Sequence, residues 1–137
     1  MNREIKFRAK TKRSPLIVAK GYSEPKLVYG MPYNVELTKI RDEKGLQHQI
    51  VKQSLNQFTG FYDKNGKEIY EGDYLGDWNE VDGEMIQSKQ QVFWSKTHGE
   101  WRIDESAKQD KSFSSSLWHM LHDYRYEVVG NVHGRGL

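Results

Sequence analysis

The 137-residue chain contains no cysteine. That absence excludes disulfide bonds, thiolate metal ligands and cysteine nucleophiles, so any metal site would have to use histidines and carboxylates. The chain also lacks a long hydrophobic run, because no stretch approaches the roughly 18 apolar residues that a membrane-spanning helix requires. Its N-terminus is charged where a secretory signal would be apolar. We therefore expect a cytoplasmic protein with no membrane contact.

Apolar residues are scarce, at 36% of the sequence against 29% charged residues. Four Trp, eight Tyr and five Phe offset this scarcity, because each aromatic side chain buries a large area. Aromatic enrichment also favours strands over helices. The composition therefore predicts a small, mainly β domain with a core of few, bulky residues.

The two halves of the chain carry opposite charge. Residues 1–60 hold 12 Lys/Arg and 5 Asp/Glu, a balance of +7, whereas residues 61–137 hold 9 and 14, a balance of −5. Opposite charges attract, so we expect the basic half to pack on the acidic half, either within one subunit or across a homo-oligomer. A nucleic-acid partner for the basic half is the alternative.

Residues 58–75 give the clearest local signal. Two runs rich in β-formers flank Asp63-Lys64-Asn65-Gly66, and Asn-Gly between extended runs favours a β-hairpin with a type I′ turn. At the N-terminus, residues 3–9 alternate so that Ile5, Phe7 and Ala9 share one strand face. These patterns predict a hairpin and a half-buried strand.

Weaker patterns supply the remaining elements. Residues 46–55 suit a helix or an irregular strand, and we favour a strand over 49–52. Ser114, Ser115 and Ser116 can cap a short helix that presents Leu117, Met120 and Leu121 on one face. Residues 33–45 indicate a polar connection with short extended pieces around Val35 and Leu37, and this connection ends in an exposed turn at 41–45. Past Asp77 the chain becomes acidic, from Asn79 to Glu84. Further strands are predicted at 27–29, 90–95, 100–104 and 124–132.

These elements place a soft domain boundary near residue 56. We expect residues 1–56 to form an N-terminal strand-rich arm or subdomain and residues 57–137 to form a small β-barrel with one short helix.

Three motifs in order resemble the YopX family of phage and prophage proteins. The central one is Phe58-Thr59-Gly60 followed by Asp63-Lys64-Asn65-Gly66-Lys67-Glu68-Ile69-Tyr70-Glu71-Gly72-Asp73. The others are the segments 3–9 and 126–132, and the stretches between the motifs match only loosely. The resemblance implies a Src-homology-3-like barrel in the C-terminal part, a phage or prophage origin and location in the bacterial host cell. It implies no reaction, so no catalytic residue is carried over.

Most residues of the central motif have a sufficient folding explanation. Glycines at Gly60, Gly66 and Gly72 permit close approach or positive φ, and Asp73 suits a turn carboxylate that accepts backbone N–H groups. Asp63 and Asn65 belong to the turn itself. An ion site built from Glu68, Glu71, Asp73 and Asp77 is disfavoured, because their spacing matches no ion-binding loop.

The sequence gives only weak signals for other catalytic or metal sites. His119, His122 and His133 could be imagined as metal ligands, but the helix lacks the glutamate of a metalloprotease motif. The serines at 112–116 lack the glycine pattern of a nucleophile elbow. We therefore expect no enzyme activity and no cofactor.

The nucleic-acid hypothesis rests on six cations near the N-terminus, with Tyr22, Tyr29 and Tyr33 as stacking groups. The cations are Arg3, Lys6, Arg8, Lys10, Lys12 and Arg13. They could instead be the solvated face of an edge strand. The sequence thus favours a non-catalytic phage accessory protein that binds or assembles through protein contacts, with nucleic-acid binding as the alternative.

Overall fold

A computed structural model describes residues 5–12, 26–34, 36–106 and 108–133. These residues are mainly β, as predicted, with antiparallel sheets and one short α-helix. They fall into two compact units, within Met1–Gln57 and Phe58–Arg135. None of their helices is long and apolar enough to cross a membrane.

The N-terminal unit is an antiparallel sheet in the order β4-β3-β2-β1. Its strands are β1 (Phe7–Lys10), β2 (Leu27–Pro32), β3 (Lys39–Asp42) and β4 (Gln47–Gln49). The free edge of β1 pairs with Asn56 and Gln57, the first residues of β5 (Asn56–Tyr62). A 3-10 turn at Lys52–Ser54 follows β4. The strand predicted over 49–52 is therefore wrong, since that strand ends at Gln49.

The core of this unit lies on one face of the sheet. Ala9, Val28, Ile40 and Ile50 are buried there, with Phe7 and Leu55 packed against them. The predicted alternation along β1 is correct for Phe7 and Ala9, whereas Ile5 precedes the strand and is exposed. The side chains that alternate with these core residues lie on the opposite face of the sheet.

In the C-terminal unit, β5 pairs with β6 (Glu68–Tyr70), which confirms the predicted hairpin. Its turn differs from type I′, because Gly66 has a φ of 81° while Asn65 is not among the residues with positive φ. Gly66 N–H donates to the Asp63 carbonyl at 3.0 Å, as in a type I turn followed by a left-handed glycine. The hairpin also ends at Tyr70 rather than Leu75, since the chain turns at Gly72 into another sheet.

That second sheet has five antiparallel strands in the order β12-β11-β10-β7-β13. The strands of the unit after β6 are β7 (Asp73–Gly76), β8 (Trp78–Val81), β9 (Glu84–Gln87), β10 (Gln90–Ser95), β11 (Glu100–Asp104), β12 (Ser114–Ser116) and β13 (Glu127–Asn131). The predicted β10–β11 hairpin is confirmed, with Trp101 and Ile103 both buried. Among the described residues the two edge strands, β12 and β13, do not pair with each other, so no closed barrel is found.

One core serves this unit. It consists of Ile69, Leu75, Val92, Trp101, Ile103, Leu117 and Tyr126. The predicted helix is confirmed as α1 (Leu117–Asp123), but the serines before it form β12 against β11, and Ser116 makes no side-chain cap bond. Strands β8 and β9 include the acidic stretch from Asn79 to Glu84, for which the sequence predicted no element, and they pair only with each other among the described residues.

Candidate functional site

The side of the N-terminal sheet opposite its apolar core carries cations from neighbouring strands. Directly paired residues of antiparallel strands point to the same face. Because Arg8 pairs with Tyr29, and Met31 pairs with Arg41, those four residues share a face. Alternation along the strands adds Lys10, Leu27 and Lys39, and the pairing of β3 with β4 adds Gln47 and Gln49. We call this surface the basic face.

The charge of the basic face is one-sided. Its described strand positions hold four cations, Arg8, Lys10, Lys39 and Arg41, and no carboxylate. Lys39 and Arg41 are exposed, whereas Lys10 is half-buried. Asp42 belongs to the opposite face, where its Oδ2 lies 2.9 Å from His48 Nε2. Together with backbone N–H bonds from Leu46 and Lys44, this hydrogen bond holds the pKa of Asp42 below its usual range.

Aromatic rings accompany these cations. Tyr29 on β2 is 39% exposed, and Tyr33, just past the end of β2, is 40% exposed. The Arg41 guanidinium lies over the Tyr33 ring, 4.9 Å from its centroid. Such a pair combines positive charge with a flat apolar surface.

A shallow cavity of about 200 Å³ opens at one end of the face. It is lined by Lys6, Tyr29, Gly30, Met31 and Arg41. Two acidic residues of the β3 end, Asp42 and Glu43, line its rim as well. The cavity is therefore mixed in charge, while the strands beyond it are uniformly basic.

The six predicted cations differ in their placement. Arg8 is only 2% exposed, and its Nε donates to Asn56 Oδ1 at 3.3 Å, so its guanidinium is part of the sheet interior. Lys6 and Lys10 are half-buried and Lys12 is exposed. Arg3, Arg13 and Tyr22 lie outside the described residues. Lys39 and Arg41 were missed, although the alternation of Lys39-Ile40-Arg41 is the pattern of a half-buried strand.

The central motif has a structural role in the C-terminal unit. Asp63 is 7% exposed, and its Oδ1 accepts backbone N–H bonds from Asn65 at 2.8 Å and Lys67 at 2.9 Å. Gly60, Gly66 and Gly72 all have positive φ, between 81° and 87°. Asp73 Oδ2 accepts the Tyr70 N–H at 2.8 Å, which is the turn role that suits a short carboxylate. These groups hold the backbone of the hairpin turn and of the turn into β7.

No metal-binding group of three His, Asp or Glu side chains forms within the described residues. The Trp118 ring stacks on His122, with centroids 5.4 Å apart, and meets His119 edge-on at 5.1 Å. His133 N–H donates to Asn131 Oδ1. The histidines are thus engaged in ring stacking and a turn.

The serines before α1 also have structural partners. Ser114 Oγ accepts a bond from Arg102 Nε at 2.8 Å, and Ser115 Oγ donates to Glu105 at 3.0 Å. Neither serine contacts a histidine in the described hydrogen bonds, so no nucleophile–base pair is assembled there.

Comparison with known proteins agrees with the sequence motifs. The family model described as YopX protein matches residues 6–135, nearly the whole chain. No curated protein matches the chain.

Proposed function

The chain belongs to the YopX family, and from this membership, which brings no reaction with it, we propose a non-catalytic binding protein whose basic face binds nucleic acid. One observation carries the proposal: Lys10 of β1 and the exposed Lys39 and Arg41 of β3 lie on a single side of the sheet, without a carboxylate on its strands. Neighbouring strands lie about 4.8 Å apart, so cations two strands apart are about 10 Å apart. Cations of both strands can therefore contact phosphates of the same nucleic-acid backbone.

Salt-dependent binding tests the proposal. The probe is a fluorescein-labelled oligothymidylate of about 20 nucleotides, longer than a typical single-strand binding site. The variant replaces Lys10, Lys39 and Arg41 with glutamine. We expect the wild type to bind more weakly as salt rises, and the variant to lose about 2 from the salt slope, since each phosphate contact contributes about 0.7 on a single strand.

The matched control replaces Lys89, Lys96 and Lys108, three exposed cations of the C-terminal unit, with glutamine. Both variants remove three charges from the formal net charge of +2. The control should keep the wild-type slope. The proposal would be overturned if the wild type showed no binding at micromolar protein in low salt. It would also be overturned if both variants lost the same amount from the salt slope.

Protein contact is the second candidate, and the β8–β9 ribbon favours it. Trp78 and Met85 point to one side of the ribbon and are 50% and 60% exposed, while Val81 and Ile86 are exposed on the other side. The ribbon also carries Glu80, Asp82 and Glu84. An apolar, acidic surface complements a basic one, so its proposed occupant is the basic face of a second copy.

Sedimentation tests this self-association. Replacing Trp78 and Met85 with threonine should convert an oligomer into a monomer, and about 0.5 M salt should weaken the wild-type oligomer by screening. Replacing Phe113 and Trp118, two exposed residues elsewhere, with threonine is the control. A wild-type protein that sediments as a monomer in low salt would reject this candidate.

Three finer proposals follow from the resemblance: a Src-homology-3-like C-terminal unit, a phage or prophage origin, and location in the host cytoplasm. The short antiparallel strands and single core of the C-terminal unit support the first. An experimental structure that shows β12 and β13 joined across the remaining gap would establish closure.

A further inference from the structure

A second pocket lies wholly within the C-terminal unit. It has a volume of about 190 Å³, and its walls include Tyr62, Lys64, Leu121, Tyr124 and Arg125. We call it the tyrosine pocket. Its volume is below the roughly 300 Å³ of cavities that enclose drug-sized ligands, so an occupant would be only partly enclosed and would extend into solvent.

The rings of Tyr62 and Tyr124 are half exposed, and each contacts a second, buried aromatic ring. Tyr62 is 50% exposed, and its ring meets Phe58 edge-on with centroids 5.6 Å apart. Tyr124 is 51% exposed and lies 5.9 Å from the buried ring of Tyr126. Aromatic rings held this way offer a flat surface at little entropic cost on binding.

The charge of the pocket is positive at its rim. Lys64 and Arg125 are exposed, and neither forms an ion pair with any other described residue. One carboxylate, Asp63, also lines the pocket, but it is 7% exposed and accepts three backbone N–H bonds. Its charge is therefore largely satisfied by the fold, whereas the two cations remain available to an anion.

A ligand that matches these features has an aromatic ring and a compact negative group. We propose that the tyrosine pocket binds a nucleotide, with the base against a tyrosine ring and the phosphate between Lys64 and Arg125. Arginine suits this role because its planar guanidinium makes paired hydrogen bonds to phosphate oxygens. The proposal is independent of the basic face, because no residue of the N-terminal unit takes part.

Amide NMR of the full chain, titrated with adenosine 5′-monophosphate, tests this site. We expect saturable shifts at Lys64, Tyr124 and Arg125. Adenosine and inorganic phosphate, which each lack one half of the ligand, should bind at least about tenfold more weakly. Oligothymidylates with and without a 5′-phosphate distinguish a strand end, which needs that phosphate, from an internal or free nucleotide.

Two variants separate the contribution of the cations from that of the tyrosine ring. Lys64→Gln with Arg125→Gln should weaken the mononucleotide about tenfold, while the equally charged control Lys96→Gln with Lys108→Gln should match the wild type. Tyr124→Leu should weaken the mononucleotide but not phosphate, and unchanged amide dispersion would show that the fold persists.

Some results would overturn the proposal. They are the absence of a saturable shift at the pocket, equal affinity for adenosine and its monophosphate, or wild-type affinity in the Lys64/Arg125 variant. The variant of Lys10, Lys39 and Arg41 should still bind the mononucleotide, so failure here and failure of the basic face are told apart.

Discussion

Asp63 and Val128 are joined by a hydrogen bond across 65 residues of sequence. The Val128 N–H donates to Asp63 Oδ2 at 2.9 Å, while the other carboxylate oxygen holds the N–H groups of Asn65 and Lys67. A second bond, from Lys64 N–H to the Tyr126 carbonyl at 3.1 Å, runs beside it. The tip of the β5–β6 hairpin is therefore fastened to β13 by one buried carboxylate.

Asp63→Asn should destabilise the protein. An asparagine keeps one accepting oxygen but places an NH₂ group against a backbone N–H that needs an acceptor. Hydrogen bonds to a charged group contribute about 1.5–3 kcal/mol, so we expect a loss in that range from the free energy of unfolding in urea. Asp82→Asn, on the exposed β8–β9 turn, is the control and should change little. Equal stability of both variants would contradict this role.

Gly30→Ala should disrupt the N-terminal sheet. A Cβ built at Gly30 would lie 1.9 Å from the Arg41 carbonyl oxygen, and that neighbour is backbone that cannot move aside. Overpacking costs about 1–3 kcal/mol or more, which we expect as a lowered thermal midpoint. Gly130→Ala is the comparison, since its Cβ would meet only the Tyr74 ring at 3.7 Å. A variant at Gly30 as stable as the one at Gly130 would mean that β2 and β3 pair less closely.

Tyr126 should make the protein sensitive to alkali. Burial raises the pKa of Tyr126 above its ordinary value, with the Glu105 carboxylate acting in the same direction. The stability tied to this group is complete below the unfolded-state pKa of about 10 and is lost as the pH rises through the higher folded-state pKa. Tyr126→Phe should therefore flatten the fall in urea midpoint above pH 10 relative to the wild type. An unchanged slope in Tyr126→Phe would be the contrary result.

Asp42 should make the N-terminal unit sensitive to acid. The pKa of Asp42 is lowered chiefly by its hydrogen bond to His48. The stability contributed by such a carboxylate is present above the unfolded-state pKa of about 3.9 and is lost as the pH falls through the lower folded-state value. As the pH falls from 5 into the acid range, Asp42→Asn should therefore lose less stability than the wild type. Circular dichroism at a fixed urea concentration measures this loss. Parallel acid curves for wild type and variant would refute the assignment.

Local signals in the sequence predicted the hairpins well. The β10–β11 pair and the β5–β6 pair both depend on turn residues close to the strands, so a short window contains the information. Prediction failed where tertiary pairing decides the outcome. Ser114–Ser116 suit a helix cap locally, yet β11 offers them a ladder of partners, and they form β12 instead. The prediction of a type I′ turn was wrong, because the Asp63 carboxylate favours a different loop geometry.

The basic face was only partly predictable. Lys6, Lys10 and Lys12 lie close together in sequence, but the contribution of Lys39 and Arg41 depends on β3 pairing with β2. Burial of Arg8 was also beyond sequence reasoning, because its partner Asn56 is 48 residues away. The tyrosine pocket joins residues 62–64 with 121–126, so no local pattern could reveal it.

The sheet order of the C-terminal unit has a consequence for synthesis on the ribosome. β7 lies between β10 and β13, and β13 follows β7 by roughly fifty residues. At typical translation rates the second edge of β7 stays open for on the order of 3 to 10 seconds. An open strand edge is a template for other chains. The emerging protein is therefore open to misassembly, and to chaperone capture, at β7 until β13 has been made.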